Sequence, residues 1–316
     1  MDWGSIITVG LFASAVQLAV PIALAAAGET VCERAGVLNL GIEGLMLFGA
    51  LGSFLGAYYA SSLLVGVLCG LAAGVALAAI MGLLSIRLKT EQVINGIALV
   101  LFAQGITAFV YTELFSGGRP PSVELASPVK IPLLSEIPGI GGVFFNQNLL
   151  VYGSIVLALS TWFVVFRTRF GLSVRAAGDG PAAADAVAVN VDRVRWIALL
   201  IGGAMGGLGG AVLILGEIGL FRPEITAGRG WVAVALVVFG RWNPILVLGG
   251  AALFGLADAL QLQVQAASGG TGSSVPYEVF QALPYGLTLA VLVATSIRAR
   301  GSAVPLALGM PFRRTT

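Results

Sequence analysis

The chain has 316 residues, of which 58% are hydrophobic and only 10% are charged, whereas ordinary soluble domains carry about 25% charged residues. This composition argues against a soluble globular protein and predicts a membrane protein, while the net charge of +2 excludes the basic surface of a nucleic-acid-binding protein. Because the sequence contains no histidine, the commonest general base and metal ligand are missing, and catalysis by a Ser-His-Asp arrangement is excluded.

Three membrane-spanning helices are predicted in the N-terminal part of the chain. A helix needs about 20 mostly apolar residues to cross the bilayer core. The first such run, residues 3–28, follows an N-terminus that lacks the positive charge of a signal peptide, so we expect it to be retained as a spanning helix. Residues 44–86 carry no charge and are long enough for two helices joined by a hairpin near residues 58–62.

About six further spans are predicted in the rest of the chain. They are residues 92–112, a run ending at residue 166, and residues 196–216, 230–240, 245–265 and 279–297. The run at 230–240 is too short to cross unaided, and broken helices blur such counts, so eight to ten spans are compatible with the sequence. The predicted fold class is therefore an all-α transmembrane bundle, a single domain over residues 1–316 with a broken or re-entrant element. The glycine-rich run 202–210 is expected to pack closely on neighbouring helices.

Most of the 17 basic residues fall on one side of the nine-span arrangement. They are Arg87, Lys89, Arg167, Arg169, Arg175, Arg193, Arg195, Arg241, Arg298, Arg300, Arg313 and Arg314. Because cytoplasmic loops retain Lys and Arg, this side is predicted to be cytoplasmic. The loop at 168–194 then lies inside, whereas the N-terminus, the Pro- and Gly-rich loop at 113–148 and the turn at 268–274 lie outside.

A polar segment separates the first two apolar runs. It reads Gly-Glu-Thr-Val-Cys-Glu-Arg-Ala-Gly-Val-Leu-Asn-Leu-Gly-Ile-Glu-Gly over residues 28–44. Irregular backbone at membrane depth is tolerated only where protein or a water-filled cavity satisfies its polar groups. Asn39 and Glu43 are therefore predicted either to face a translocation pathway or to fix the shape of the break. Glu29, Glu33 and Arg34 either belong to this arrangement or are ordinary interfacial residues.

Further polar residues interrupt later spans. Asn95 and Gln104 lie in the fourth run, and Asp258 lies in the eighth. A carboxylate near the centre of a span costs about 2.5 to 3.5 kcal/mol on insertion scales, so it should face the bundle interior with a partner. Each of the three is predicted to face inwards, either as a contact along a solute pathway or as a structural hydrogen-bonding group.

The chain has no ATP-hydrolysing motif of its own. Its two lysines, Lys89 and Lys130, both lie outside any G-x-x-x-x-G-K-[ST] sequence, so no phosphate-cradling loop is present. Energy from ATP would have to reach the chain through a partner docked on the cytoplasmic loop. There, Asp179 or Gly180 can cap a helix, Pro181 fits its first turn and the following alanines favour helix. A short helix of about nine residues is predicted, although the residues alone equally permit a plain connector.

Three segments resemble a known family. Residues 171–193 resemble the cytoplasmic coupling-helix loop of permease subunits from ABC importers of branched-chain amino acids, simple sugars and nucleosides. Residues 28–44 are similar to the signature of the nucleoside and simple-sugar members, and Gly-Arg-Trp-Asn-Pro at 240–244 matches a motif that follows a re-entrant element in the family. Ala188 departs from the pattern, because glycine commonly stands at that position.

The resemblance implies a role for the whole chain. It implies a multi-pass subunit of the bacterial cytoplasmic membrane, surrounded by lipids, that is not an enzyme and holds no cofactor. ATP would be hydrolysed by two partner ATPase subunits, a second homologous permease would complete a heteromeric pair, and an extracytoplasmic binding protein or lipoprotein would deliver the solute. The residues implied in ATPase coupling are Arg175, Gly178, Asp179, Pro181, Ala182, Ala183 and Asp185.

Several solutes and one other class of transporter stay open. The signature at residues 28–44 places nucleosides first and simple sugars second, and the scarcity of charge along the spans suits an uncharged polar solute. Branched-chain amino acids come third, because zwitterions would favour charged contacts. A secondary transporter driven by an ion gradient is the alternative of a different class, with Glu43 and Asp258 as proton or sodium sites.

Overall fold

The computed structural model of the chain describes residues 8–115, 117, 121–267, 286 and 304–313. Its helices and strands, in chain order, are α1 (Val9–Arg34), α2 (Ile42–Ala60), α3 (Leu63–Gly82), α4 (Gln92–Phe115), β1 (Pro128–Lys130), α5 (Ile140–Phe144), β2 (Asn146–Asn148), α6 (Leu149–Arg167), α7 (Arg169–Asp179), α8 (Pro181–Ala186), α9 (Val191–Val212), α10 (Arg229–Phe239) and α11 (Pro244–Ala267). Helices α3 and α9 continue as π-helical segments over Leu83–Arg87 and Leu213–Ile218. The strands β1 and β2 pair antiparallel.

The prediction of an all-α membrane bundle is confirmed. Seven helices among the described residues are long and apolar enough to cross a membrane, namely α1, α2, α3, α4, α6, α9 and α11. The predicted hairpin is also confirmed, because Ser61 and Ser62 separate α2 from α3 and Ser61 adopts a left-handed φ of 48°. The count of nine spans stays a prediction, since the ninth run at 279–297 and the turn at 268–274 lie outside the described residues.

Two of the predicted boundaries were wrong. The first span continues six residues past Gly28 to Arg34, because the acidic side chains of its last turns are buried and hydrogen-bonded rather than placed in an interface. The sixth span begins at Val191 rather than 196, because the Asn190 side chain accepts a hydrogen bond from the Arg193 N–H and caps the helix.

Basic side chains cluster at one end of the bundle, called the basic end below. They include Arg34, Arg87, Arg167, Arg195 and Arg241. Residues 304–313 also lie there, because the Ala307 N–H donates to the Gly178 carbonyl oxygen over 2.8 Å. Helix α11 runs away from the basic end, and near its other end Ala259 packs against Leu11 and Ala15.

The opposite end of the bundle carries the strands β1 and β2 and the segment that precedes them. The Gln17 amide donates to the Gln147 side chain over 2.8 Å, and the Val123 N–H donates to the Gly219 carbonyl oxygen over 2.7 Å. The segment after α4 is therefore attached to the starts of α1 and α6 and to the end of α9.

Glycines let α9 lie at the centre of the bundle. A Cβ atom at Gly74 on α3 would lie only 2.2 Å from the Gly203 carbonyl oxygen, and one at Gly210 would lie 2.0 Å from the Met46 carbonyl oxygen on α2. Backbones approach this closely only where side chains are absent. The predicted helix-packing role of residues 202–210 is confirmed.

The chain between α9 and α11 crosses the bundle in two halves. Residues 219–228 form a non-helical half, which starts at the opposite end, where Leu220 bridges to Ser122. Helix α10 forms the other half and ends at Phe239, next to the basic end. This is the predicted broken element, and it explains why the apolar run at 230–240 is too short for a full span.

Candidate functional site

The break between α1 and α2 is held by side chains rather than by regular backbone hydrogen bonds. The Leu38 N–H donates to Gln92 Oε1 over 2.7 Å, and the Asn39 N–H donates to Glu29 Oε1 over 3.0 Å. Asn39 Oδ1 in turn accepts from the Gly41 N–H over 3.2 Å. Because Asn39 is fully buried, the structure favours the second of its two predicted roles, which is to fix the shape of the break.

Glu43 connects the break between α1 and α2 to the two-part crossing, which consists of residues 219–228 and α10. Its carboxylate accepts three hydrogen bonds: from the Thr226 hydroxyl over 2.6 Å, from the Gly228 N–H over 3.0 Å and from the Gly230 N–H over 2.6 Å. The N–H groups at the start of a helix have no partner within it and favour a negative charge. Glu43 therefore caps α10 from another helix, and it is a structural clasp with its donors supplied by protein.

Glu33 and Arg34 hold the turn between α10 and α11. The Trp242 indole N–H donates to Glu33 Oε2 over 2.5 Å, and Arg34 Nε donates to the Trp242 carbonyl oxygen over 2.9 Å. Glu29 and Glu33 are both fully buried. The interfacial alternative for these two residues was therefore wrong, because their partners come from inside the bundle.

The loop at the basic end contains the predicted short helix. Gly180 precedes α8 and Pro181 occupies its first turn, as predicted. Helix α8 has six residues rather than about nine, because Ala188 takes a left-handed φ of 63° and ends the helical path. This conformation also explains why glycine is common at that position in the family. Ala182 and Ala183 are exposed, whereas Ala184 is buried.

Helix α7 joins this loop directly to the end of the first span. A Cβ atom at Gly178 would lie 2.2 Å from the Arg34 carbonyl oxygen, so the two backbones are in contact. The guanidinium groups of Arg34 and Arg175 lie 5.6 Å and 5.5 Å from the centre of the Phe166 ring, a geometry typical of cation–π contacts.

Arg195 fastens the C-terminal residues to the same place. Its Nε donates to the Ala35 carbonyl oxygen over 3.2 Å, and its Nη1 donates to the Met310 carbonyl oxygen over 2.8 Å. The Gly309 N–H also donates to the Gly36 carbonyl oxygen over 3.2 Å. The end of α1, the end of α7 and residues 304–313 therefore form one packed unit.

The five predicted pathway residues have different partners. Asn95 donates to the Ser85 hydroxyl over 3.0 Å and to the Thr90 hydroxyl over 2.8 Å, so it fixes the turn between α3 and α4. Gln104 is partly buried on α4. Asp258 forms an ion pair of 3.7 Å with Arg229, so its partner is a charged side chain.

Two important partners were missed by reasoning from the sequence. Thr226 binds Glu43, and Trp242 binds Glu33, across sequence separations of 183 and 209 residues. The Gly-Arg-Trp-Asn-Pro motif drew attention to Trp242. Only the structure shows that the indole N–H of Trp242 donates to Glu33. Thr226 carried no signal of its own.

Comparison with known proteins assigns the family. Residues 11–292 match the family described as the permease component of the branched-chain amino acid transport system. The chain belongs to this family. It is thus a multi-pass membrane permease subunit of an ABC transporter, and members of the family generally have no catalytic site of their own.

Individual relatives agree with this assignment. The chain is 38% identical to the "Putative glucose ABC transporter permease protein TsgC13" of Haloferax volcanii, over 96% of this chain and 98% of the relative. It is 34% identical to the guanosine ABC transporter permease protein NupQ of Bacillus subtilis, over 99% and 98%. It is 32% identical to the nucleoside ABC transporter permease protein NupC of Lactococcus lactis, over 86% and 87%.

A solved structure shares the fold. A chain of an ABC transporter in an inward-facing conformation superposes with a TM-score of 0.54, covering 93% of this permease and 89% of the solved chain. The sequence identity is 16%, so the likeness concerns the fold alone.

Proposed function

We propose that this permease is the membrane subunit of an ATP-driven nucleoside importer and that its ATPase docks on α8. The observation that carries the proposal is the backbone contact between Gly178 and the Arg34 carbonyl oxygen. This contact attaches the exposed loop at the basic end to the helix break inside the bundle. A partner that moves α8 therefore moves the end of the first span.

The force then has a continuous route into the bundle. Arg34 is bonded to the Trp242 backbone and Glu33 to its indole, so the end of α1 moves with the turn that follows α10. The start of α10 is bonded to Glu43 on α2. Rigid elements joined by such contacts can transmit a displacement between two arrangements of the bundle, which is what alternating access requires.

The partners are proposed from the family and its members. The chain matches two guanosine ABC transporter permease proteins of Bacillus subtilis, NupQ at 34% identity and NupP at 24% identity. Two permeases for one solute in one organism support a heteromeric pair. ATPase subunits and an extracytoplasmic substrate-binding protein or lipoprotein complete the proposed importer.

Nucleosides are the proposed solutes, with simple sugars as the second candidate because a glucose permease is also among the relatives. A complex of this chain with its partner permease, ATPase and binding protein, reconstituted in vesicles, would be supplied with labelled uridine, adenosine, ribose, glucose and leucine. We expect uptake of uridine and adenosine with ATP and none with a non-hydrolysable analogue. Preferential uptake of leucine, or uptake without nucleotide hydrolysis, would contradict the proposal.

Secondary transport is less well supported. Glu43 was one of its two ion-site candidates, and its carboxylate accepts hydrogen bonds from three protein donors. Replacing residues 179–189 by a flexible linker is expected to abolish ATP-dependent uptake, whereas a gradient-driven carrier would keep its activity.

A further inference from the structure

A cluster of three ionisable side chains lies within the membrane-crossing part of the fold. Arg229 opens α10, Asp258 lies on α11 and Glu217 lies in the π-helical end of α9. Arg229 and Asp258 form an ion pair, and Glu217 interacts electrostatically with both. Ionisable groups at membrane depth are costly, and each is by default a candidate for a solute or ion pathway.

The cluster is incompletely satisfied. The Arg229 to Asp258 distance is 3.7 Å, which is longer than a hydrogen bond. Arg229 Nε and Glu217 Oε1 are buried atoms that have no hydrogen-bond partner in the described part of the chain. Glu43, by contrast, has three donors. Burying a donor and an acceptor without partners costs free energy, and a ligand that hydrogen-bonds to both would offset this cost.

The backbone around the cluster is unusual in a way that favours a ligand site. Glu217 lies on a π-helical segment, and such segments occur frequently at functional sites. The chain that follows leaves the helix at Gly219, which has a left-handed φ of 73°, and is non-helical until Arg229. The Arg229 and Asp258 side chains each keep 18% of their surface exposed, so a small polar molecule can reach the pair.

We propose that Glu217, Arg229 and Asp258 bind the vicinal hydroxyls of a neutral ribosyl or hexosyl solute during transport. A hydroxyl both donates and accepts, so one hydroxyl can donate to Glu217 Oε1 while its neighbour accepts from Arg229 Nε. A zwitterion would instead need its carboxylate to take Arg229 away from Asp258. The inference rests on the proposed function and names the part of the solute that this permease contacts.

The test compares solutes with and without the diol in the reconstituted importer. ATP-dependent uptake of uridine is divided by that of 2′,3′-dideoxyuridine, and uptake of glucose is divided by that of 2,3-dideoxyglucose, for the wild type and for Glu217→Gln. Selectivity contributed by the binding protein is common to both proteins and cancels when these ratios are compared. Glu224→Gln is the matched control, because Glu224 is an exposed glutamate on the same stretch of chain.

The Glu217→Gln variant is expected to lower one of the two ratios by about fivefold or more, since an amide NH2 replaces one of the two carboxyl oxygens that can accept from the solute hydroxyl. The uridine ratio identifies a ribosyl source and the glucose ratio a hexosyl source. Arg229→Lys, which keeps the charge but lacks Nε, should lower the same ratio, and Glu224→Gln should leave it unchanged. Equal losses for both members of each pair, or unchanged ratios, would overturn the inference while leaving the proposed function standing. A wild-type complex that imports neither class would overturn both.

Discussion

Single residues decide how the loop at the basic end is shaped. Ala188 holds a left-handed backbone conformation that costs an L-residue about 1 to 2 kcal/mol and costs glycine almost nothing. The strain lies directly after the short helix that we propose as the ATPase dock. Ala188 is therefore a position at which a substitution can make the permease more stable.

Replacing Ala188 by glycine is therefore expected to stabilise the protein. The gain should be about 1 kcal/mol or less, because glycine also gives the unfolded chain more freedom. Thermal unfolding of the purified permease measures it. The same substitution at Ala186, the last residue of α8, should lower stability, because a glycine within a helix weakens it. A lower unfolding temperature for Ala188→Gly would contradict the assigned conformation.

Gly178 is the residue through which the loop contacts the first span. Gly178→Ala places a Cβ atom 2.2 Å from the Arg34 carbonyl oxygen, so α7 must shift away, at a cost of about 1 to 3 kcal/mol. We expect ATP-driven uptake to fall at least tenfold in vesicles containing the complex. Gly153→Ala is the control, because nothing beyond its own stretch of helix lies within 4 Å of the added carbon there. Unimpaired transport by Gly178→Ala would show that this contact carries no force.

At the scale of elements, the two-part crossing depends on carboxylates from other helices. Glu43 caps the start of α10, and Glu33 receives the indole N–H of the turn that follows α10. Both carboxylates belong to the segment at 28–44 that resembles the nucleoside and simple-sugar signature. The signature therefore encodes the anchoring of α10 at both of its ends.

The pair formed by Glu33 and Trp242 can be tested by a double-mutant cycle. Trp242→Phe leaves a buried carboxylate without its donor, and it should lower the stability of the permease by about 1 to 3 kcal/mol. Glu33→Met removes both the charge and the acceptor oxygens, so the double variant should lose less than the sum of the single losses. Thermal unfolding of the four proteins measures the cycle, with Trp162→Phe as a control on α6. Strict additivity would mean that the two side chains do not interact.

The elements were largely predictable, and their ends were not. Apolar runs placed α2, α3, α4 and α11, and the end of α6, within a few residues, because a membrane helix must be apolar along a fixed length. The sequence did not reveal that α1 continues to Arg34, because the burial of Glu29 and Glu33 depends on partners far away in the chain. Asn95 was expected to face inwards, and Asn39 and Glu43 either to face a pathway or to fix the break, but for the same reason their partners required the structure.

At the scale of the whole molecule, the basic end gathers what the proposed mechanism needs. The ends of α1 and α7, the turn before α11 and residues 304–313 are joined there by hydrogen bonds. The cluster of Glu217, Arg229 and Asp258 lies deeper in the fold. The contacts that we propose with an ATPase and with solute therefore involve separate regions, linked through α10.

Site-directed crosslinking between the permease and its ATPase tests the central claim most directly. A cysteine is introduced at Ala183 on the exposed side of α8, after Cys69 is replaced by serine, and a cysteine at Tyr59 at the opposite end serves as the control. The account predicts that a short bifunctional reagent joins Ala183→Cys to the ATPase subunit in intact membranes and leaves Tyr59→Cys unlinked. Labelling of Ala183→Cys from the outer side of the membrane, or a crosslink from Tyr59→Cys alone, would contradict it.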